Sequence, residues 1–151
     1  MSNGLERKLK NGDSVMDSLM KPFRDNIIEL KVVDVGARNG MHQDVIPSNY
    51  AKESTMVGFE PNPDEYNKLV TQNTDAEKVG AQMSRFKHEQ YFNYALWNKD
   101  EKRTFYITAG EGACTLMGES DKKICRNMWF EGSDKSYYDV HTNVVKTTKL
   151  D

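Results

Sequence analysis

Cysteine is scarce in this chain. Two occur in 151 residues, Cys114 and Cys125, and they lack CxxC spacing. That count excludes a disulfide framework and suits reduced thiols in a cytoplasmic setting; a bridge between the two has no positive support. No apolar run approaches a membrane span, and the N-terminus lacks the apolar core of a signal peptide. No basic block stands out and the formal net charge is −2, so the sequence offers no footprint for nucleic acid or an anionic membrane. No internal repeat is visible. Charged residues make up 29% and hydrophobic residues 37%, with a mean hydropathy of −0.78. The surface is therefore heavily polar, yet the chain is long enough for one domain with a real core.

Against that background, residues 31–40 (KVVDVGARNG) stand out. Val32, Val33 and Val35 form a β-branched run that favours a buried strand. Asp34 sits near its end. Gly36-Ala37-Arg38-Asn39-Gly40 then turns the chain, with glycines that permit positive φ and put no Cβ in a ligand's way. An open α/β sheet builds its ligand crevice in this manner, at the carboxyl ends of its strands. A plain strand-to-loop turn is the other reading, since one glycine-rich loop is a weak signal.

A second stretch, residues 56–66 (MVGFEPNPDEY), strengthens the first. Val57, Gly58 and Phe59 read as another short buried strand, ending in Glu60. Asn62 has the chemistry of a helix N-cap, with Pro63 at the first helical position and Glu65 placed to complete a capping box. A carboxylate at the end of a second strand can accept from both ribose hydroxyls of a nucleoside, and Glu60 falls near the expected spacing. The alternative is a solvated carboxylate at a strand end.

The rest of the chain frames these two stretches. Val15, Leu19, Phe23 and Ile27 recur at four-residue steps, so residues 1–30 read as a helical flank interrupted at Pro22. Residues 44–46 suggest a short helix cut off by Pro47. A helix is expected over 63–72, with Tyr66, Leu69 and Val70 inward, and a further one from Thr74 through Arg85, with Val79 and Met83 inward. Residues 91–97 (YFNYALW) and 103–108 (RTFYIT) read as strands joined in a hairpin. Residues 110–119 read as a loop, 121–130 as a weak helix and 139–148 as a strand. His42 lies in a loop beyond Gly40, and His88 and His141 read as exposed and structural.

VVDVGARNG, GFEPNPDEYNKL and YALWNKDEKRTFYI, in that order, resemble the FkbM-type family of S-adenosylmethionine (SAM)-dependent methyltransferases. The resemblance runs from residue 31 to 151. It implies a Rossmann-like α/β sheet of seven strands and methyl transfer to a hydroxyl of a sugar or other small molecule. By that resemblance Gly36, Ala37, Arg38 and Gly40 lie along the methionine part of SAM, and Asp34 supports that turn or the amino group. Glu60 holds the ribose. Pro61 and Asn62 border the adenine, and Ala95 and Leu96 line its pocket. The family's next element, a fourth central strand with an acidic motif, would follow residue 151. Residues 31–151 are thus expected to be a partial SAM-binding domain with a bare sheet edge, open to a second copy or a complementing chain.

The turn GARNG also separates SAM from NAD. A pyrophosphate needs a middle glycine and a helix N-terminus directly behind the loop, and neither is present. SAM carries no phosphate. Methyl transfer would rest mainly on proximity and orientation, assisted by a general base. No base is assigned; His42 and His141 qualify by residue type only, and no metal site is read from the sequence. The alternative function is a non-catalytic binding or assembly module that keeps the fold.

Overall fold

The computed structural model describes residues 29–108 and 139–150, together with 18, 19, 21, 22, 25, 114 and 116. The expected loop at 110–119, apart from those two positions, the helix at 121–130 and Cys125 lie outside the described residues, as does most of the N-terminal flank. Residues 18, 19, 21 and 22 are helical, and Leu19 is well exposed.

The chain is α/β, with parallel strands. Strand β1 (Lys31–Val35), strand β2 (Thr55–Phe59) and strand β3 (His88–Phe92) form a parallel sheet in the order β1-β2-β3. Between β1 and β2 lies one short helix, α1 (Ser48–Ala51), started by Pro47. The short helix expected at 44–46, before Pro47, does not form: those residues are turn and bend, and Pro47, extended at φ −60° and ψ 146°, stands at the N-cap of the helix that follows it. Helix α2 (Pro63–Val70) and a single turn, α3 (Asp75–Lys78), connect β2 to β3. Strand β4 (Ala95–Leu96), strand β5 (Lys102–Thr108) and strand β6 (Asp139–Thr148) make a second sheet in the order β4-β6-β5.

Register assigns the faces of the first sheet. Val32, Met56 and Glu89 align, as do Asp34, Gly58 and Tyr91, and these point one way. Here Met56 packs with Ala51 and Phe86, flanked by Val32, Met41, Ile46 and Tyr91. Met56 is 1% exposed, which stabilises the fold by about 2 kcal/mol. The opposite face carries Val33, Val35 and Val57. The strand forms as read, but the burial expected of it does not hold: Val33 and Val35 are 50% and 62% exposed, so this face of β1 is open among the described residues. β1 is also an edge strand among them.

Several expectations need correction. Val70, expected inward, is 47% exposed at the end of α2. The hairpin between 91–97 and 103–108 does not form: β5 pairs antiparallel with β6, and β6 pairs parallel with β4. The cause is visible at Thr147. Its buried hydroxyl bonds the Lys99 and Glu101 carbonyls at 2.7 and 3.1 Å, holding β6 between the two segments. The third strand also starts earlier, at His88, and breaks at Asn93 and Tyr94 before β4. Last, the helix from Thr74 stops at Lys78. Gly80 at φ 84° ends it, with Ala81 N–H donating to the Ala76 carbonyl at 2.9 Å, the closure a left-handed glycine allows. Val79 is therefore 84% exposed rather than inward.

Candidate functional site

The turn after β1 is held by the end of β2. The Phe59 carbonyl accepts from Gly36 N–H at 2.9 Å and Ala37 N–H at 3.0 Å. Gly36 takes φ 75°, a conformation L side chains rarely adopt. Asn39 is also left-handed, at φ 69°, and its side-chain oxygen accepts from Ala76 N–H at 3.4 Å, tying the turn to α3. Gly58 contributes by what it lacks. A Cβ there would lie 2.5 Å from Tyr91 Cδ1 and 3.0 Å from the Ala37 Cβ. Glycine lets the Tyr91 ring and the turn press onto β2.

A cavity of about 150 Å³ opens at the carboxyl ends of β1 and β2. Gly36, Arg38, Glu60, Pro61 and Asn62 line it, joined by Glu65, Phe105 and Cys114. Five residues singled out in the sequence thus converge. The others lie elsewhere. Ala37 is 1% exposed, packed behind the turn. Gly40 faces Tyr91, Leu69 and Met83. Asp34 sits on the Tyr91 face of the sheet, where burial pushes its carboxyl up. Ala95 is buried with Phe105, Ile107 and Val145, and neither it nor Leu96 lines the cavity. Phe105 and Cys114 were missed. Phe105 reaches the cavity from β5 of the second sheet, whose pairing no local pattern announces, and Cys114 packs against the core of that sheet. His42 is paired with Asp44 at 3.4 Å, and neither it nor His141 lines the cavity.

Glu60 is the central group, 4% exposed. Its Oε1 accepts from Asn62 N–H at 2.8 Å. Burial pushes its carboxyl up and Glu65 adds to the rise; the backbone amides of Asn62 and Arg38 and the Arg38 charge oppose it. The segment behind it is fixed by Asn93, whose amide nitrogen donates to the Glu60 and Pro61 carbonyls at 2.8 and 3.2 Å.

Glu65 does not complete a capping box on α2. Asn62 caps alone, through Asp64 N–H at 3.0 Å, and Glu65 turns instead to two cations. Arg38 Nε reaches it at 3.0 Å and Lys68 Nζ at 2.7 Å. Lys68 also meets Asp75 at 2.6 Å, and Asp75 meets Lys78 at 3.0 Å. The true capping box belongs to α3, between Thr74 and Glu77. The ionic chain pins Arg38 beside the cavity and neutralises the carboxylate next to Glu60.

The chain matches no family model, no curated protein and no solved structure. The chemistry of the cavity must be read from its residues.

Proposed function

We propose that this chain is the cofactor-binding portion of a SAM-dependent methyltransferase acting on a hydroxyl of a small molecule or sugar. The observation that carries the reading is the placement of Glu60. It is a buried carboxylate at the carboxyl end of β2, in one cavity with the Gly36 turn of a parallel sheet. Two backbone amides occupy part of its acceptor capacity, leaving lone pairs for a vicinal diol. The volume, about 150 Å³, is that of a small enclosure around Glu60, so the base and the methionine part of a nucleoside would extend beyond it, past Pro61 and Asn62 on one side and Gly36 on the other. Gly36, with open space where a Cβ would stand, leaves the chain room to extend past the turn.

When bound, SAM supplies an electrophilic methyl group on its sulfonium. This chain's residues bind and orient. Glu60 accepts hydrogen bonds from the ribose hydroxyls, Pro61 and Asn62 border the base, and Arg38, held by Glu65, walls the site. Because burial raises the Glu60 carboxyl, nucleoside binding should weaken on acidification at a pH above the ordinary carboxylate range. The cytoplasmic setting, a small-molecule acceptor and a complementing chain or second copy at the β1 edge belong to the same reading. The test is calorimetric titration with S-adenosylhomocysteine, with NAD as comparison. Saturable binding of the first alone supports the proposal; binding of NAD in its place would overturn it.

A second reading keeps the fold without the chemistry. It is favoured by one observation: no histidine among the described residues lines the cavity, and its one carboxylate besides Glu60 is Glu65, which is spent on Arg38 and Lys68. A chain that binds S-adenosylhomocysteine but transfers no methyl group to any hydroxyl acceptor would fit this binding-module reading.

A further inference from the structure

A larger cavity, of about 400 Å³, lies beyond the first turn of α2. Its walls include Tyr66 of α2, Phe92, Asn93 and Tyr94 at the end of β3, and Val144 and Lys146 of β6. The residues 60–66 separate it from the cavity described above: Glu60, Asn62 and Glu65 face one side, Pro63 and Tyr66 the other. Its size falls within the range of small-molecule sites.

Two properties define what would fit. The first is an aromatic stack that ends at Tyr94. The Phe92 and Tyr94 rings lie within 9° of parallel, centroids 6.1 Å apart, and the Phe59 ring continues the stack at 5.6 Å from Phe92. Phe92 and Tyr94 flank Asn93, whose bonds to the Glu60 and Pro61 carbonyls pin the link, so these two rings of the wall are preformed; Phe59 backs Phe92 from β2 without lining the cavity. The second is a cation. Lys146 Nζ sits 5.9 Å from the Tyr94 ring centroid, and no carboxylate among the described residues pairs with it. Lys68, Lys78, Arg85 and Arg103, by contrast, each have an acidic partner. Lys146 and Val144 are both exposed on the same face of β6, so the cleft is open to solvent on that side.

We propose that this cavity is a second binding site, for an aromatic carboxylate, with the ring against Tyr94 and the carboxylate at Lys146. Stacking on the tyrosine supplies the contact area, and the ammonium selects the charge. The site does not depend on the nucleoside reading of its neighbour.

The test uses 2-naphthoate, with 2-naphthamide as the uncharged ring of the same shape. Calorimetry on the whole chain should show one equivalent of naphthoate bound, roughly tenfold tighter than the amide. Lys146→Gln should equalise the two ligands, Lys146→Arg should keep the preference, and Tyr94→Leu should weaken both. Unchanged far-UV circular dichroism checks that each variant folds. Equal affinity of the parent for acid and amide would overturn the proposal. So would absence of binding, or a charge preference that survives Lys146→Gln.

Discussion

Gly58→Ala adds one carbon where the first sheet has no room for it. The new Cβ would stand 2.5 and 2.7 Å from Tyr91 Cδ1 and Cε1, and 3.0 Å from the Ala37 Cβ. Neither neighbour can give way easily. The Tyr91 ring is partly buried, packed against the Met56 cluster and lying under Gly40. Ala37 is 1% exposed in a turn that donates two hydrogen bonds to Phe59. Overpacking of this kind costs about 1–3 kcal/mol. Alanine recovers about 0.4–1 kcal/mol by restricting the unfolded chain. The net expectation is destabilisation by about 1–2 kcal/mol, read as a lower urea midpoint with an unchanged slope. The decisive arm is a double-mutant cycle with Tyr91→Leu, which removes the obstructing ring. Gly58→Ala should cost at least about 1 kcal/mol less in that background. A parent-like midpoint for Gly58→Ala, or an equal cost with and without the ring, would refute the close-approach argument.

Two further outcomes are expected. Lys68 and Lys78 hold the exposed Asp75 carboxyl down to about 2, below its usual 3.8. A lowered folded value stabilises the ionised fold, so its contribution is complete above about pH 4 and fades as pH falls towards 2. Asp75→Asn should therefore lower the urea midpoint at pH 6 and match the parent at pH 2; a pH-independent difference would contradict the ionic account. At the β1 edge, the half-exposed Val33 should support self-association or strand pairing, seen as concentration-dependent sedimentation of the parent. Val33→Lys should suppress it while changing stability by no more than about 0.5 kcal/mol. A parent that stays monomeric across the concentration series would count against the open edge as an association surface.

Local signals proved legible where the chain's own neighbours decide the structure. The β-branched run around Val33, the Gly36 turn, the Val57–Phe59 strand and the Asn62-Pro63 helix start each carry their cause within a few residues. Their convergence at one cavity follows from parallel pairing of β1 with β2, which brings two strand ends side by side. What failed depends on distant partners. Glu65 has the spacing of a capping residue, but Arg38 and Lys68 offer charge, a stronger partner than a backbone amide. The 91–97 and 103–108 strands have hairpin spacing, yet β6 intervenes through Thr147, a contact across 46 residues. Phe105 enters the cavity on β5, a strand placed by that pairing. Ala95, assigned to the pocket through resemblance, is instead core to the second sheet. The break at Asn93 is likewise tertiary, since its side chain serves the carbonyls of Glu60 and Pro61.

The central claim is that Glu60 holds the hydroxyls of a nucleoside. The most direct measurement is titration of S-adenosylhomocysteine into the parent and Glu60→Ala side by side, with matched circular dichroism. The account predicts saturable binding by the parent and a loss of about 1–3 kcal/mol in the variant, the scale of hydrogen bonds left unmade. Equal affinity in the two proteins would contradict it.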